Sequence, residues 1–202
     1  MIRILVLLIC VVALVGCTAS QPQNTNDICA IFKEKEDWYG DAADASDEWG
    51  SPIPVMMAIM YQESRFQAKA KPPRNKILGF IPGPRPSSAY GYSQAKKSTW
   101  KDYKRSAGRY GSDRDDFGDA IDFVGWYNYQ SYKRSGISRK DTYSLYLAYH
   151  EGHGGFNRGT YRKKKWLMGV ARKVEGKANT YQKQLLGCEE KLQSGGWFFG
   201  LF

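Results

Sequence analysis

Apolar positions recur every three or four residues along most of this chain, the spacing of helices that bury one face. From Ile28 to Trp49 the apolar set is Ile28, Ile31, Phe32, Trp38, Ala42, Ala45 and Trp49, which predicts one helix opening at Asp27. Ser51 and Pro52 then offer a cap and a first-turn proline for a second helix reaching toward Phe66. The period disappears from Ala70 to Ser88, where Pro72, Pro73, Pro82, Pro84 and Pro86 fall, so a rigid basic loop is expected there. Helical spacing returns over 96–107, 116–134, 140–151 and 164–193, with Gly176 a candidate break in the last. Asp115, Asp116 and Ser138 sit where helix caps are wanted, so no chemistry is assigned to them. Strand patterns are weak throughout, and the stretch 27–193 reads as one predominantly helical domain followed by a short aromatic tail, 194–202.

One polar residue breaks the pattern of the second helix. Met56, Ile59, Met60 and Glu63 fall at i, i+3, i+4 and i+7, so a helix here puts a carboxyl group on its apolar stripe. Burial disfavours the ionised form, and the negative end of the helix dipole disfavours it further, so both raise the pKa. A group in that setting suits general acid work near neutral pH. Two plainer arrangements stay open: an arginine partner that neutralises the buried glutamate, or a helix register that turns Glu63 outward.

The first residues carry Arg3 and then an apolar run, Ile4–Val15, that is too short to cross a bilayer comfortably and matches the hydrophobic region of an export signal. Its end, Leu14-Val-Gly-Cys17, resembles a bacterial lipobox, which implies cleavage after residue 16 and lipidation of Cys17. With Thr18 rather than aspartate after the cysteine, the expectation is anchoring in the outer membrane, facing the periplasm, on a polar tether over 17–26. Cys10 leaves with the leader, so Cys29 and Cys188 remain and are expected to pair in an oxidising compartment; two free thiols are the alternative. The formal charge is +10, mostly outside the leader. In a periplasmic setting its anionic partners are cell-wall peptides and lipid headgroups rather than nucleic acid. The run Arg162-Lys-Lys-Lys165 reads as a solvated helix start.

Three short segments then line up in order: Gln62-Glu63-Ser64-Arg65-Phe66, Ala89-Tyr90-Gly91-Tyr92-Ser93-Gln94 and Ala148-Tyr149-His150-Glu151-Gly152. They resemble the Glu-Ser, Gly-Leu-Met-Gln and Ala-Tyr-Asn-Ala-Gly motifs of soluble lytic transglycosylases, over a region from about Pro52 to Tyr181. The resemblance implies a lysozyme-like, mainly α fold of the α+β lysozyme superfamily and the glycan strands of peptidoglycan as substrate. It implies Glu63 as catalytic acid and base, and Tyr149 as the tyrosine that hydrogen-bonds it. Ser64, Gly91, Tyr92, Ser93, Gln94 and His150 would contact sugar, with the glycine allowing close backbone approach to the ligand. No cofactor is implied, because a substrate that supplies its own N-acetyl group as assisting nucleophile needs one carboxylate rather than two.

The sequence departs from the pattern at Tyr92-Ser93, at His150 and at Glu151, and its loop from Ala70 to Ser88 is long. That loop is expected to border the groove and to carry Lys71, Arg74, Lys76 and Arg85 toward an anionic polymer. Glu151 is either a solvated surface residue or, facing the scissile bond, the second carboxylate of a lysozyme-type hydrolase. A non-catalytic peptidoglycan-binding lipoprotein is the other alternative, against which an acid on an apolar stripe argues. His150 and His153 alone fall short of a zinc site, so no metal is expected. Some of Trp126, Tyr127, Tyr129 and Tyr132 belong to the core, and the sequence does not say which face sugar.

Overall fold

The computed structural model describes residues 19–194, so the leader, the lipidation candidate Cys17 and the tail beyond Ser194 lie outside the described residues. Helix α1 is Ile28–Glu34, and the side chain of Asp27 caps it, accepting from Cys29 N at 2.9 Å and Ala30 N at 3.2 Å. The single helix expected to Trp49 is in fact two. Lys35 leaves helical geometry, and α2 restarts over Glu36–Trp49 with Glu36 and Asp37 in the first turn, where the dipole favours acids. The break lets Phe32 and Tyr39 meet edge-on across the bend, with ring centres 5.5 Å apart.

Helix α3, Ile53–Ser64, is the axis of the domain. Every residue from Ile53 to Met60 is buried, so the helix is apolar all round rather than striped, which is what a helix enclosed by others requires. Ser51 does not cap it: Pro52 occupies the cap position, and buried Ser51 Oγ accepts from Asn128 Nδ2 at 2.9 Å. Two consecutive non-glycine residues in left-handed geometry, Arg65 (φ 53°) and Phe66 (φ 62°), stop the helix one residue past Ser64. The fully buried Phe66 ring, packed against Trp38 and Tyr61, holds that turn in place.

The proline-rich loop contains a two-stranded antiparallel hairpin that the sequence pattern did not predict. Strand β1 (Lys76–Ile77) faces β2 (Ile81–Pro82), with Ile77 opposite Ile81. Its tip is exposed, Leu78 at 80% and Phe80 at 75%. The chain continues through α4 (Lys97–Ser106), α5 (Phe117–Ser135), α6 (Thr142–Glu151), α7 (His153–Asn157), a 3-10 turn (Thr160–Lys163), α8 (Lys165–Leu185) and α9 (Glu189–Gln193). Asp116 caps α5 through Asp119 N at 3.0 Å, and Asp141, rather than Ser138, caps α6 through Ser144 N at 3.0 Å. Helix α8 runs through Gly176 without a break; the chain turns instead at 186–188.

Helix α3 packs on α8 and α5, α2 on α5, and α6 on α8, so the helices close around one core. Cys29 and Cys188 are joined as a disulfide with Cα atoms 6.2 Å apart, tying α1 to the start of α9. The stretch 20–26, expected as part of a free tether, is instead fastened to the domain. Pro22 is buried, Gln21 Nε2 donates to Arg65 O at 2.8 Å, Gln23 N donates to Glu34 Oε2 at 2.8 Å, and Gln184 Nε2 donates to Asn26 O at 3.2 Å.

Candidate active site

The C-terminal turn of α3 delivers Glu63 to a groove of about 420 Å³, where α5 contributes Phe123 and Tyr127 and α6 contributes Tyr149, His150 and Glu151. Gln94, Lys96, Thr99, Pro72 and Ala89 are among the other residues that line it. Glu63 keeps part of its surface open to the groove while protein atoms crowd its remaining sides. Burial pushes its carboxyl up from 4.5 to about 7, and a hydrogen bond from Tyr146 pulls the other way without reversing the shift. No arginine or lysine pairs with Glu63, so the neutralised-pair arrangement is not what the described residues form.

Tyr146, rather than Tyr149, is the tyrosine whose hydroxyl favours the charged form of Glu63. The Tyr149 hydroxyl donates to the Ser93 carbonyl oxygen at 2.6 Å, and Tyr149 senses Glu63 only through its charge. The two tyrosines are three residues apart on α6 and therefore share a face; the motif pointed to the later one, and helical spacing is the signal that would have found the earlier. Tyr149 instead pins the 91–94 segment to α6 and, with Tyr127 at 5.0 Å and Phe123 at 6.4 Å, makes an aromatic wall.

Most of the expected sugar-contacting residues turn out to support the wall. Ser64 is buried and its Oγ donates to Met60 O at 3.3 Å, which finishes the helix and does not face the groove. Gly91, with φ 79°, is close to protein rather than ligand: a Cβ there would lie 1.9 Å from Arg114 O, and Tyr92 N donates to that same oxygen at 3.1 Å. Tyr92 is buried, edge-on to a pair formed by Trp38 and Phe117, whose rings stack 3.7 Å apart. Ser93 is fully buried and offers its carbonyl to Tyr149. Gln94, at φ 50°, does line the groove; its amide donates to Ala70 O at 3.0 Å and Gly91 O at 2.8 Å, leaving its acceptor oxygen for a ligand. His150 also lines it, its ring edge-on to Trp166 at 5.3 Å. His153, by contrast, stacks on Tyr127 at 4.5 Å and is held neutral-favouring by burial.

Glu151 lines the groove and is neither solvated nor free. Lys164 Nζ lies 2.7 Å and His150 Nδ1 3.1 Å from its Oε1, while the Thr160 hydroxyl donates to Oε2. Burial alone would raise its pKa, but the bonds from Lys164, Thr160 and His150 outweigh that and bring it down to about 2. Lys164 is thus the member of the basic run that does not merely face solvent. The two carboxyls in the groove are driven in opposite directions, one toward holding a proton and the other toward permanent charge.

Replacing either tyrosine separates their roles. Tyr146→Phe removes a donor that favours the charged carboxylate, so the alkaline limb of any Glu63-dependent activity is expected to move to higher pH. Tyr149→Phe is expected to lower the rate by about tenfold through loss of wall geometry, with no movement of that limb. A pH–rate profile of each variant decides it, and identical displacement in both would show that Tyr149 also acts on the carboxyl directly.

A helical domain that presents one proton-holding carboxyl in an aromatic trough belongs to the lysozyme-like class. The family described as Transglycosylase SLT domain matches residues 5–188, nearly the whole chain, and the protein belongs to it. Membership brings lytic transglycosylase activity on peptidoglycan. No curated protein matches the chain.

Proposed function

We propose that the protein cleaves the β-1,4 bond between N-acetylmuramic acid and N-acetylglucosamine, with Glu63 as the acid and then the base. The observation that carries this is the place of Glu63 in a groove lined by Phe123, Tyr127 and Tyr149, with no cationic partner among the described residues, where burial raises its pKa to about 7. Protonated Glu63 gives its proton to the bridging oxygen as the C1–O bond breaks, and the neighbouring N-acetyl oxygen bonds to C1. The carboxylate then takes the proton of the muramyl 6-hydroxyl as O6 attacks C1 and expels the acetamido oxygen. Glu63 ends protonated, and the product is a 1,6-anhydro sugar.

An inverting hydrolase would need a second carboxylate as base for water on the opposite face of the sugar, and a lysozyme-type one would need it as nucleophile. Glu151 is the other carboxylate among the described groove residues, and a group with a pKa near 2 whose two oxygens already accept from Lys164, His150 and Thr160 is a weak base. Glu63 is then the base for whichever hydroxyl attacks, and the muramyl 6-hydroxyl, tethered to the reacting sugar at high effective concentration, is favoured over water. A second carboxyl with a raised pKa, Asp41 at about 6, lines a larger cavity of about 620 Å³ between α1, α2 and α9. Burial and then the charges of Asp116, Asp37, Asp44 and Asp119 account for that shift, and such an acidic surface repels an anionic polymer.

Digesting purified sacculi tests the reading. The expected products carry 1,6-anhydromuramyl ends, one water lighter than reducing ends and inert to borohydride; a product set dominated by reducible ends would establish hydrolysis instead. In the cell we place the protein in the outer membrane, anchored through Cys17 and facing the wall, a reading that rests on the leader and the lipobox.

A further inference from the structure

Beside the Glu63 groove lies a second cavity of about 380 Å³, lined by Lys71, Arg85, Ser87, Ser88, Tyr90 and Arg114. Ala89 lines both cavities, so the two adjoin. No carboxylate lines the smaller one. Among the described residues, no acid lies within ion-pair distance of its three cations, although each is placed by other contacts. Arg114 Nη1 donates to Ser88 O and Ala95 O, both at 2.9 Å, and its guanidinium lies 5.1 Å from the Tyr90 ring centre. Lys71 Nζ lies 5.2 Å from the same ring. Arg85 donates through Nη1 to the Pro72 carbonyl. Asp115, next to Arg114 in sequence, accepts from the Tyr90 hydroxyl at 2.8 Å.

Such a set is organised before any ligand arrives. An arginine has five N–H donors, and the contacts above use two of those on Arg114 and one on Arg85, so both side chains that line the cavity keep donors beyond those contacts. Fixing the cations on Tyr90 and on backbone carbonyls removes much of the ordering cost that a flexible surface lysine would incur on binding. A carboxylate suits this arrangement, since it accepts from two guanidinium N–H groups at once. From Arg65 to Lys101 the chain contains no aspartate or glutamate, so nothing in this segment competes for the cations.

We propose that this cavity is a subsite for a carboxylate of the peptide borne on the glycan strand, so that the protein prefers strands carrying charged peptides. The proposal rests on the transglycosylase reading and extends it from bond to substrate class. The two cavities share Ala89, and the peptide hangs from a muramyl unit bound in the adjoining groove.

The test gives the full-length protein three substrates of matched strand length: strands with native peptides, strands whose peptide carboxylates have been converted to neutral amides, and strands stripped of peptide. The wild type is expected to show about a tenfold higher kcat/KM on the native strands, carried by KM, with the advantage shrinking as salt is raised. Lys71→Gln/Arg85→Gln is expected to erase that preference while leaving turnover of stripped strands and the thermal midpoint unchanged, which shows that the variant is folded. Arg114 is left in place because its guanidinium also holds the 88–95 segment. Equal wild-type kinetics on all three substrates, or a double variant that loses activity equally on all three, overturns the subsite and leaves the transglycosylase reading standing. A wild type inert on every strand overturns that reading, and the subsite falls with it.

Discussion

Glu63→Gln is expected to lose release of muropeptides by roughly 10²- to 10⁴-fold, the range for removing a general acid, while folding normally. Glutamine keeps the volume and the Tyr146 contact and lacks the transferable proton. The same substitution should also stabilise the protein at alkaline pH. The folded-state pKa, about 7, lies above the ordinary 4.5, so the folded chain binds a proton that the unfolded chain releases. Stability from this group is therefore complete below about pH 4.5 and is lost as pH rises through about 7. The loss amounts to at most about 3 kcal/mol, and less than that because the groove side is open to water. Melting wild type and variant at pH 5 and pH 8 reads this directly: the gap should open only at pH 8. Near-normal turnover by the variant would remove Glu63 from the chemistry, and a gap equal at both pH values would remove the raised pKa.

The second large effect is on stability. The Cys29–Cys188 bond closes a sequence separation of 159 residues, tying the first helix of the described domain to the last. Removing a native disulfide from a domain of this kind costs about 2–5 kcal/mol, and the chain-entropy model places a loop this long near the top of that range. Cys188→Ser is expected to lower the urea midpoint accordingly. Helix α1 keeps other fastenings, including Ile28 N to Gln184 Oε1 at 3.1 Å, so the variant should still fold at low temperature. An unchanged midpoint would mean that those contacts alone hold α1 and that the crosslink adds nothing. Activity per folded molecule should be unaffected, because neither cysteine lines the groove.

Helical periodicity was enough to find every long helix, because 3.6-residue spacing of apolar groups is a local property that survives in any window of the chain. It failed where a local pattern had two outcomes. Nothing in the composition of Ile28–Trp49 marks Lys35 as a break; the break is set by Phe32 and Tyr39 meeting across it. The stripe read on α3 proved to be part of a helix buried on every side from Ile53 to Met60, since Val55, Met57 and Ala58 also find partners once α5 and α8 close around it. The hairpin at 76–82 was hidden by prolines, which usually argue against strands and are tolerated here because the two short strands are both edges.

The candidate site divides in the same way. By itself, the sequence determined that a carboxyl group would sit at the end of an apolar helix, that a Gly-Tyr-Ser-Gln segment and a Tyr-bearing helix accompany it, and that two cysteines were available to pair. Those are matters of residue identity and spacing. Only the tertiary structure decided which tyrosine acts on Glu63, that Gly91 and Tyr92 pack against Arg114 and Trp38, and that Glu151 is ion-paired with Lys164. It also brought Lys71, Arg85 and Arg114 around one cavity. Each of these depends on which groups meet across long stretches of chain, and burial and charge act through distance in space, a quantity that spacing along the sequence does not contain.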